Sequence, residues 1–267
     1  MNLPIIYDVP IWVDGVVFLV IMLLALEVGY RMGVRRSPVS KDEESSGDDV
    51  ATTAIFATLG LILAFTYAFT VARHQGRKQV VVDEANAIST AFLRAGLFQD
   101  PESLELKRAL LNYARTRVTT SENTSSRAKI RETLSRSLDA QAKLWPITER
   151  IVKPRQSGAI EASLVAAMNQ VLDLHTARIA LSYDRIPPPI LLMLLFASAA
   201  SLGIAGFSSG LSVRFRRWRM TALALVLASV IFIIIDFDYP QQGFIRINQQ
   251  PMISTIAQME ANLSHKE

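Results

Sequence analysis

The 267-residue chain contains no cysteine and only three histidines. The lack of cysteine excludes disulfides, thiolate catalysis and cysteine-ligated zinc sites. His74, His175 and His265 have no partner at metal-ligand spacing, and His175 is interpreted as a hydrogen-bonded structural histidine. HExxH pairs, phosphate-binding glycine loops and GxSxG elbows are missing as well. We therefore expect no enzymatic activity, no metal and no cofactor.

Charge is also sparse, because only 19% of the residues are charged and the formal net charge is +4. A balance this modest is not typical of nucleic-acid-binding proteins, and the arginines cluster beside apolar stretches instead. We expect no DNA or RNA partner. The charged residues still suffice for one water-exposed region in a chain that is 50% hydrophobic.

Four apolar stretches dominate the sequence, at residues 11–30, 51–72, 190–210 and 220–235. A hydrocarbon core of roughly 30 Å requires about 20 apolar residues per helical crossing. The pattern predicts a multi-pass, all-α membrane protein whose four transmembrane helices contact the lipid bilayer. The chain divides into an N-terminal transmembrane hairpin (1–72), a polar domain (73–186), a C-terminal transmembrane hairpin (187–239) and a tail (240–267).

The loops between spans one and two and between spans three and four are both basic. They contain Arg31, Arg35, Arg36 and Lys41, and Arg214, Arg216, Arg217 and Arg219. Short basic loops stay in the cytoplasm. Because each span crosses the bilayer once, the polar domain and the tail are then expected on the extracytoplasmic side of the cell membrane. A basic cluster directly after the second span, which includes Arg73 and Arg77, favours the opposite orientation.

The polar domain carries helical periodicity. Apolar residues recur at 4-3 spacing from Ala85 to Ala95, and only Gly76 separates this stripe from the second span, which predicts one continuous helix. Further stretches begin at Pro101, end or bend at Trp145-Pro146, and resume after Gly158. Four amphipathic stretches with short connections predict an antiparallel four-helix bundle inserted between the second and third spans.

Several charged residues occupy positions that need explanation. Arg178 lies in the core register of the last bundle helix, and we predict that it pairs with Glu84. Glu27 lies near the end of the first span, where it either serves transport or pairs with Arg31 one turn away. Asp236 and Asp238 close the fourth span, where they either line an ion path or mark the helix end.

We predict that Asp236 or Asp238 contacts an arginine near the same membrane surface. The candidates are Arg73, Arg77 and Arg185. Such an arginine would neutralise a carboxylate that is costly at the level of the headgroups.

Small residues at close-packing spacing mark two of the spans. Gly60, Ala64 and Ala68 form a ridge in the second, and Gly206 and Gly210 belong to a ridge in the third. Such ridges let helix backbones approach each other, either within one chain or between subunits. A homo-oligomer is therefore expected.

Three motifs resemble a known family. They are GLILAFT at Gly60 to Thr66, EANAI at Glu84 to Ile88 with Thr90 and Arg94 beyond it, and DFDYP at Asp236 to Pro240 leading to Gly243. In this order they resemble the bestrophin-like domain family of bacterial four-span membrane proteins, from about Ala51 to Ile256. The resemblance implies anion-channel ancestry and hence an oligomeric ion channel or pore subunit. The alternative is a membrane-anchored sensory or scaffold protein whose bundle binds a ligand or a separate protein partner.

Overall fold

The computed structural model describes residues 11–36, 45–120, 126–154, 158–211, 217–239 and 243–265. Across these ranges it contains nine helices and no strand, which confirms the all-α class. The helices are α1 (Ile11–Arg36), α2 (Ser45–Ala95), α3 (Pro101–Arg117), α4 (Arg127–Ala142), α5 (Leu144–Val152), α6 (Ala159–Tyr183), α7 (Pro188–Leu211), α8 (Arg217–Asp238) and α9 (Gln250–Ser264).

Within the described ranges, four helical segments are long and apolar enough to cross a membrane, and they overlap the four predicted spans. α1, α7 and α8 contain the first, third and fourth spans. α2 is 51 residues long and continues from the second span to Ala95 without interruption. The predicted continuous helix is therefore present, and the protein is a multi-pass membrane protein. Parts of both basic loops, residues 37–44 and 212–216, lie outside the described residues.

Prolines set several helix boundaries. Pro101 begins α3 at the first helical position, where its missing N–H is not needed. α6 ends at Tyr183 and α7 begins at Pro188, as the proline run predicts. The predicted break at Trp145-Pro146 occurs slightly earlier, at Lys143, because the first turn of α5 accommodates Pro146.

The chain forms two compact units. The membrane unit comprises Met1–Ala72 and Arg185–Tyr239, and the polar unit comprises Arg73–Asp184 and Pro240–Glu267. The segment that the sequence marks as a C-terminal tail (240–267) is grouped with the polar unit. Met252 and Met259 on α9 are buried in the core of the polar unit, so apolar burial holds this segment in place.

In the membrane unit, α1 and α7 approach each other through glycines. A Cβ atom on Gly206 would collide with the carbonyl oxygen of Leu26, and one on Gly29 would collide with the backbone of Gly203. The predicted ridge of the third span thus packs against the first span. Gly60 on α2 differs, because a Cβ atom there would have no atom of the described ranges within 4 Å.

Candidate functional site

A buried carboxylate lies at the centre of the polar unit. Glu84 on α2 is fully inaccessible to solvent. Its Oε2 accepts a hydrogen bond from Nη1 of Arg178 on α6 at 2.6 Å, so the predicted contact is confirmed. Its Oε1 accepts from Nε of Arg117 at 2.7 Å and from the hydroxyl of Tyr113 at 2.8 Å, both on α3. One carboxylate therefore joins three helices.

Arg178 extends this network to the C-terminal segment. Its Nη2 donates to the backbone oxygen of Arg117 at 2.9 Å and to Oε1 of Gln249 at 3.1 Å, next to the start of α9. A guanidinium group presents several donors in a fixed plane, so one side chain can hold Glu84, α3 and Gln249 together. Arg178 can therefore occupy a core position, because Glu84, the backbone of Arg117 and Gln249 all accept its hydrogen bonds.

His175 on α6 completes the cluster. Its Nδ1 lies 3.0 Å from the hydroxyl oxygen of Tyr113. Because the ionised carboxylate of Glu84 can only accept, the single Tyr113 hydrogen is donated there, and the phenol oxygen accepts from Nδ1–H of His175. The buried Nε2 atom has no hydrogen-bond partner among the described residues. His175 is therefore a hydrogen-bonded interior histidine, as the sequence predicts.

The electrostatics fix the protonation state of each group. Burial raises the pKa of Glu84, but the charges of Arg178 and Arg117 and two hydrogen bonds outweigh it, so the pKa lies below its ordinary value. Burial and the charge of Arg117 lower the pKa of His175 to about 4. Burial and Glu84 raise the pKa of Tyr113. At neutral pH the cluster has one anion and two cations, and His175 and Tyr113 are neutral.

This arrangement is suited to holding helices in register. The carboxylate is fully enclosed by its donors, which leaves it no access to a substrate, and both guanidinium groups are hydrogen-bonded. Removing Glu84 would leave two buried guanidinium groups without their anion, which is far more costly than losing a surface ion pair. The cluster therefore couples the conformations of α2, α3 and α6.

Tyr113, Arg117 and Gln249 also belong to the cluster, although they are not among the residues predicted from the sequence. A signal for two of them exists, because Leu106, Leu110, Tyr113 and Arg117 follow 4-3-4 spacing and lie on the buried face of α3. Arg117 is a charged residue in a core register, like Arg178, and the same reasoning would have selected it. Gln249 precedes its helix and belongs to no periodic pattern, so no comparable signal exists for it.

The other predicted site residues have different contacts. Glu27 pairs with Arg31 at 2.7 Å on the exposed face of α1, which matches the pairing interpretation. Arg73 pairs with Asp184 at 2.9 Å, and the buried Arg77 donates to the backbone oxygens of Leu181 and Asp184. Arg73 and Arg77 on α2 thus contact the C-terminal end of α6.

Asp236 and Asp238 are both buried in the membrane unit. Asp238 accepts a hydrogen bond from the backbone N–H of Ile186 at 3.1 Å, which ties the end of α8 to the start of α7. The guanidinium carbon of Arg185 lies 5.4 Å from the ring centre of Tyr239. The predicted contact between one of the two carboxylates and Arg73, Arg77 or Arg185 stays a prediction.

Comparison with known proteins gives one family and one similar structure. A family model described as the Bestrophin-like domain matches residues 21–252. The chain is also similar to a solved structure described as the crystal structure of a membrane protein, with 11% sequence identity and a TM-score of 0.55. That similarity covers 95% of this chain and 97% of the other, and it shows the fold alone. No curated protein matches the chain.

Proposed function

Because the chain belongs to the Bestrophin-like family, we propose that it is a subunit of an oligomeric membrane channel in which several membrane units enclose an ion pathway. The observation that carries this proposal is the exposed face of α2. Small residues follow this face at helical spacing, and all of them are exposed in the single chain. They are Thr53, Ala57, Gly60, Ala64 and Ala68.

The small residues of this α2 face differ in their packing from the glycines of α1 and α7. Gly29, Gly33, Gly206 and Gly210 on those helices pack closely within the chain, whereas a Cβ atom on Gly60 would meet no atom of the described residues within 4 Å. A face on which small side chains recur along a span permits close approach of another copy or borders a water-filled path. An assembly is required in either case, since one chain cannot surround a pathway with one such face.

Reconstitution of the purified protein in lipid bilayers tests this function. We expect an oligomer in mild detergent and a measurable single-channel or flux signal for at least one common ion. Gly60→Leu should reduce the conductance or the oligomer fraction, and Val28→Leu, at an exposed position on α1, should change neither. A monomeric particle, or no conductance for any common ion, would remove the channel proposal.

A sensory or scaffold role is the second candidate, and one observation favours it. α2 contains both Gly60 of the second span and Glu84 of the buried cluster, without a break between them. A ligand or partner that altered the cluster would therefore act on a helix that also crosses the membrane. Crosslinking in intact cells should then capture a specific partner of the polar unit, and repeated failure to recover one would count against this role.

For the orientation, we propose that the basic loops face the cytoplasm and the polar unit lies outside. The chain has no native cysteine, so single cysteines can be introduced without background. Ser125→Cys in the polar segment should react with an impermeant maleimide on intact cells, and Ser212→Cys in the basic loop should not. Both positions lie outside the described residues. Labelling of Ser212→Cys alone would invert the topology.

A further inference from the structure

The membrane unit contains an apolar cavity of about 180 Å³ between α1, α7 and α8. Its walls include Phe18, Leu195 and Ile235. A dry protein cavity of roughly 150 Å³ holds a molecule the size of benzene, so this one has room for part of a hydrocarbon chain. Val17 and Leu192, which also line it, are among the exposed residues of the unit, so the cavity lies beside the surface that faces lipid.

One end of this cavity is polar. Asp14, in the first turn of α1, and Asp238, the last residue of α8, both line it. Among the residues that the structure describes, the contact of Asp14 is a long one with Tyr239, whose hydroxyl lies 3.5 Å from Oδ2. Hydroxyl donors normally lie about 2.5–3.0 Å from their acceptors, so the phenol satisfies this carboxylate poorly. Asp14 therefore retains capacity for a stronger donor.

A positive charge lies close to the same end. Tyr239 lines the cavity, and the guanidinium group of Arg185 lies 5.4 Å from the centre of its ring. Trp12, two residues before Asp14, is exposed, and tryptophan at a span end is typical of the headgroup level. The polar end thus combines an acceptor for a cation and a donor for an anion at the depth of lipid headgroups.

We infer that this cavity binds phosphatidylethanolamine from the surrounding bilayer. The carboxylate of Asp14 accepts hydrogen bonds from the lipid ammonium, the guanidinium group of Arg185 binds the phosphate, and one acyl chain enters between Phe18 and Leu195. Phosphatidylcholine has the same charges but no N–H donor, and phosphatidylglycerol has no cation. The site should therefore prefer phosphatidylethanolamine over both. This inference holds whether or not the protein conducts ions.

Native mass spectrometry of the delipidated full chain tests the site directly. Equal amounts of dioleoyl phosphatidylethanolamine, phosphatidylcholine and phosphatidylglycerol are added, and the bound fractions are compared. We expect phosphatidylethanolamine to be favoured over phosphatidylcholine by about fivefold, the factor that corresponds to the usual net value of one hydrogen bond. Asp14→Asn should remove this preference while leaving some binding of all three lipids. Glu27→Gln, at an exposed carboxylate elsewhere on α1, should not alter it.

A second variant distinguishes binding of the lipid acyl chain from recognition of the headgroup. Leu195→Trp fills the cavity and should reduce the binding of all three lipids together. Equal binding of the three lipids by the unmodified protein would overturn the inference, and this comparison needs no variant to fold. An unchanged preference in Asp14→Asn would overturn the assignment of Asp14 as the ammonium acceptor.

Discussion

Oε2 of Glu84 lies 2.6 Å from Nη1 of Arg178, although 94 positions separate the two residues along the chain. The same carboxylate also holds Arg117, so the three residues do not contribute equally. Loss of Glu84 would leave two guanidinium groups without their anion, whereas loss of Arg178 would leave Glu84 with Arg117. This asymmetry predicts which substitution in the cluster destabilises the protein more, whereas side-chain burial alone does not.

We predict that Glu84→Leu destabilises the protein more than Arg178→Leu does, and that breaking the pair costs about 3–5 kcal/mol. The measurement is thermal or denaturant unfolding of the purified protein in mild detergent. Glu105→Gln, which removes an exposed partner of Arg150, serves as the control and should cost less than about 1 kcal/mol. Equal melting temperatures for all three variants would show that the buried cluster does not stabilise the polar unit.

The stability of the polar unit should fall in mild acid because of His175. Its pKa is about 4 in the folded protein, against an ordinary value of 6.5. Between these two values the unfolded chain binds a proton that the folded chain does not, so lowering the pH favours unfolding by at most about 1.4 kcal/mol per pH unit. The contribution of His175 to the free energy of unfolding is fully present above pH 6.5 and is lost as the pH falls towards 4.

Unfolding measured between pH 5 and 6.5 in His175→Asn should show a flatter dependence on pH. Glu84, Arg117 and Arg178 surround the imidazole. The pKa of Glu84 lies below its ordinary value of 4.5, so the stability that Glu84 contributes is lost only at lower pH. His265→Asn alters an exposed histidine and should retain the original slope. If the His175→Asn slope equals that of the unmodified protein, the imidazole titrates normally in the folded state.

Replacing a glycine in the contact between α1 and α7 with alanine should destabilise the protein. Gly206→Ala would place a methyl group against the carbonyl oxygen of Leu26, and such overpacking typically costs about 1–3 kcal/mol. Within one chain, the added methyl group of Gly60→Ala meets no atom of the described residues within 4 Å, so the packing of the chain's own helices should be unchanged or stabilised by up to about 1 kcal/mol through helix propensity. Melting temperatures of the two variants in detergent decide this, and a Gly206→Ala protein as stable as Gly60→Ala would contradict the close packing.

The C-terminal helix should contribute directly to stability. Met252 is fully buried, so Met252→Ala is expected to cost about 2–5 kcal/mol. The next residue, Ile253, is 45% exposed, and Ile253→Ala should cost much less. Urea unfolding of the purified protein compares the two. Similar small losses in both variants would show that α9 is not part of the core.

Long periodic segments were predictable from the sequence because their patterns follow directly from burial. The four spans, the continuous α2 and the proline boundaries depend on local composition and on the geometry of one helix. The Glu84–Arg178 contact was also predictable, since a charge in a core register requires a partner and both residues lie a similar distance from a span. These inferences need no knowledge of the tertiary arrangement.

The missed features depend on contacts between distant segments. α9 was assigned to a tail because fifteen residues with modest amphipathicity do not reveal which core they cover. Gly29 was overlooked because its role depends on the proximity of Gly203 on another helix. Gln249 lies outside any helix and meets Arg178 only through folding. Sequence periodicity specifies which face is buried, but it does not specify the partner.

The position of Glu84 has a consequence for biosynthesis. The ribosome produces Glu84 long before Arg178, and Gln249 follows later still. Until α6 has been synthesised, the carboxylate lacks one of its cationic partners, and an early collapse around it would bury a poorly compensated charge. Nascent chains should therefore keep this segment hydrated and open to proteases until translation has passed residue 178. The last helix, α9, then completes the core after the final span has been made.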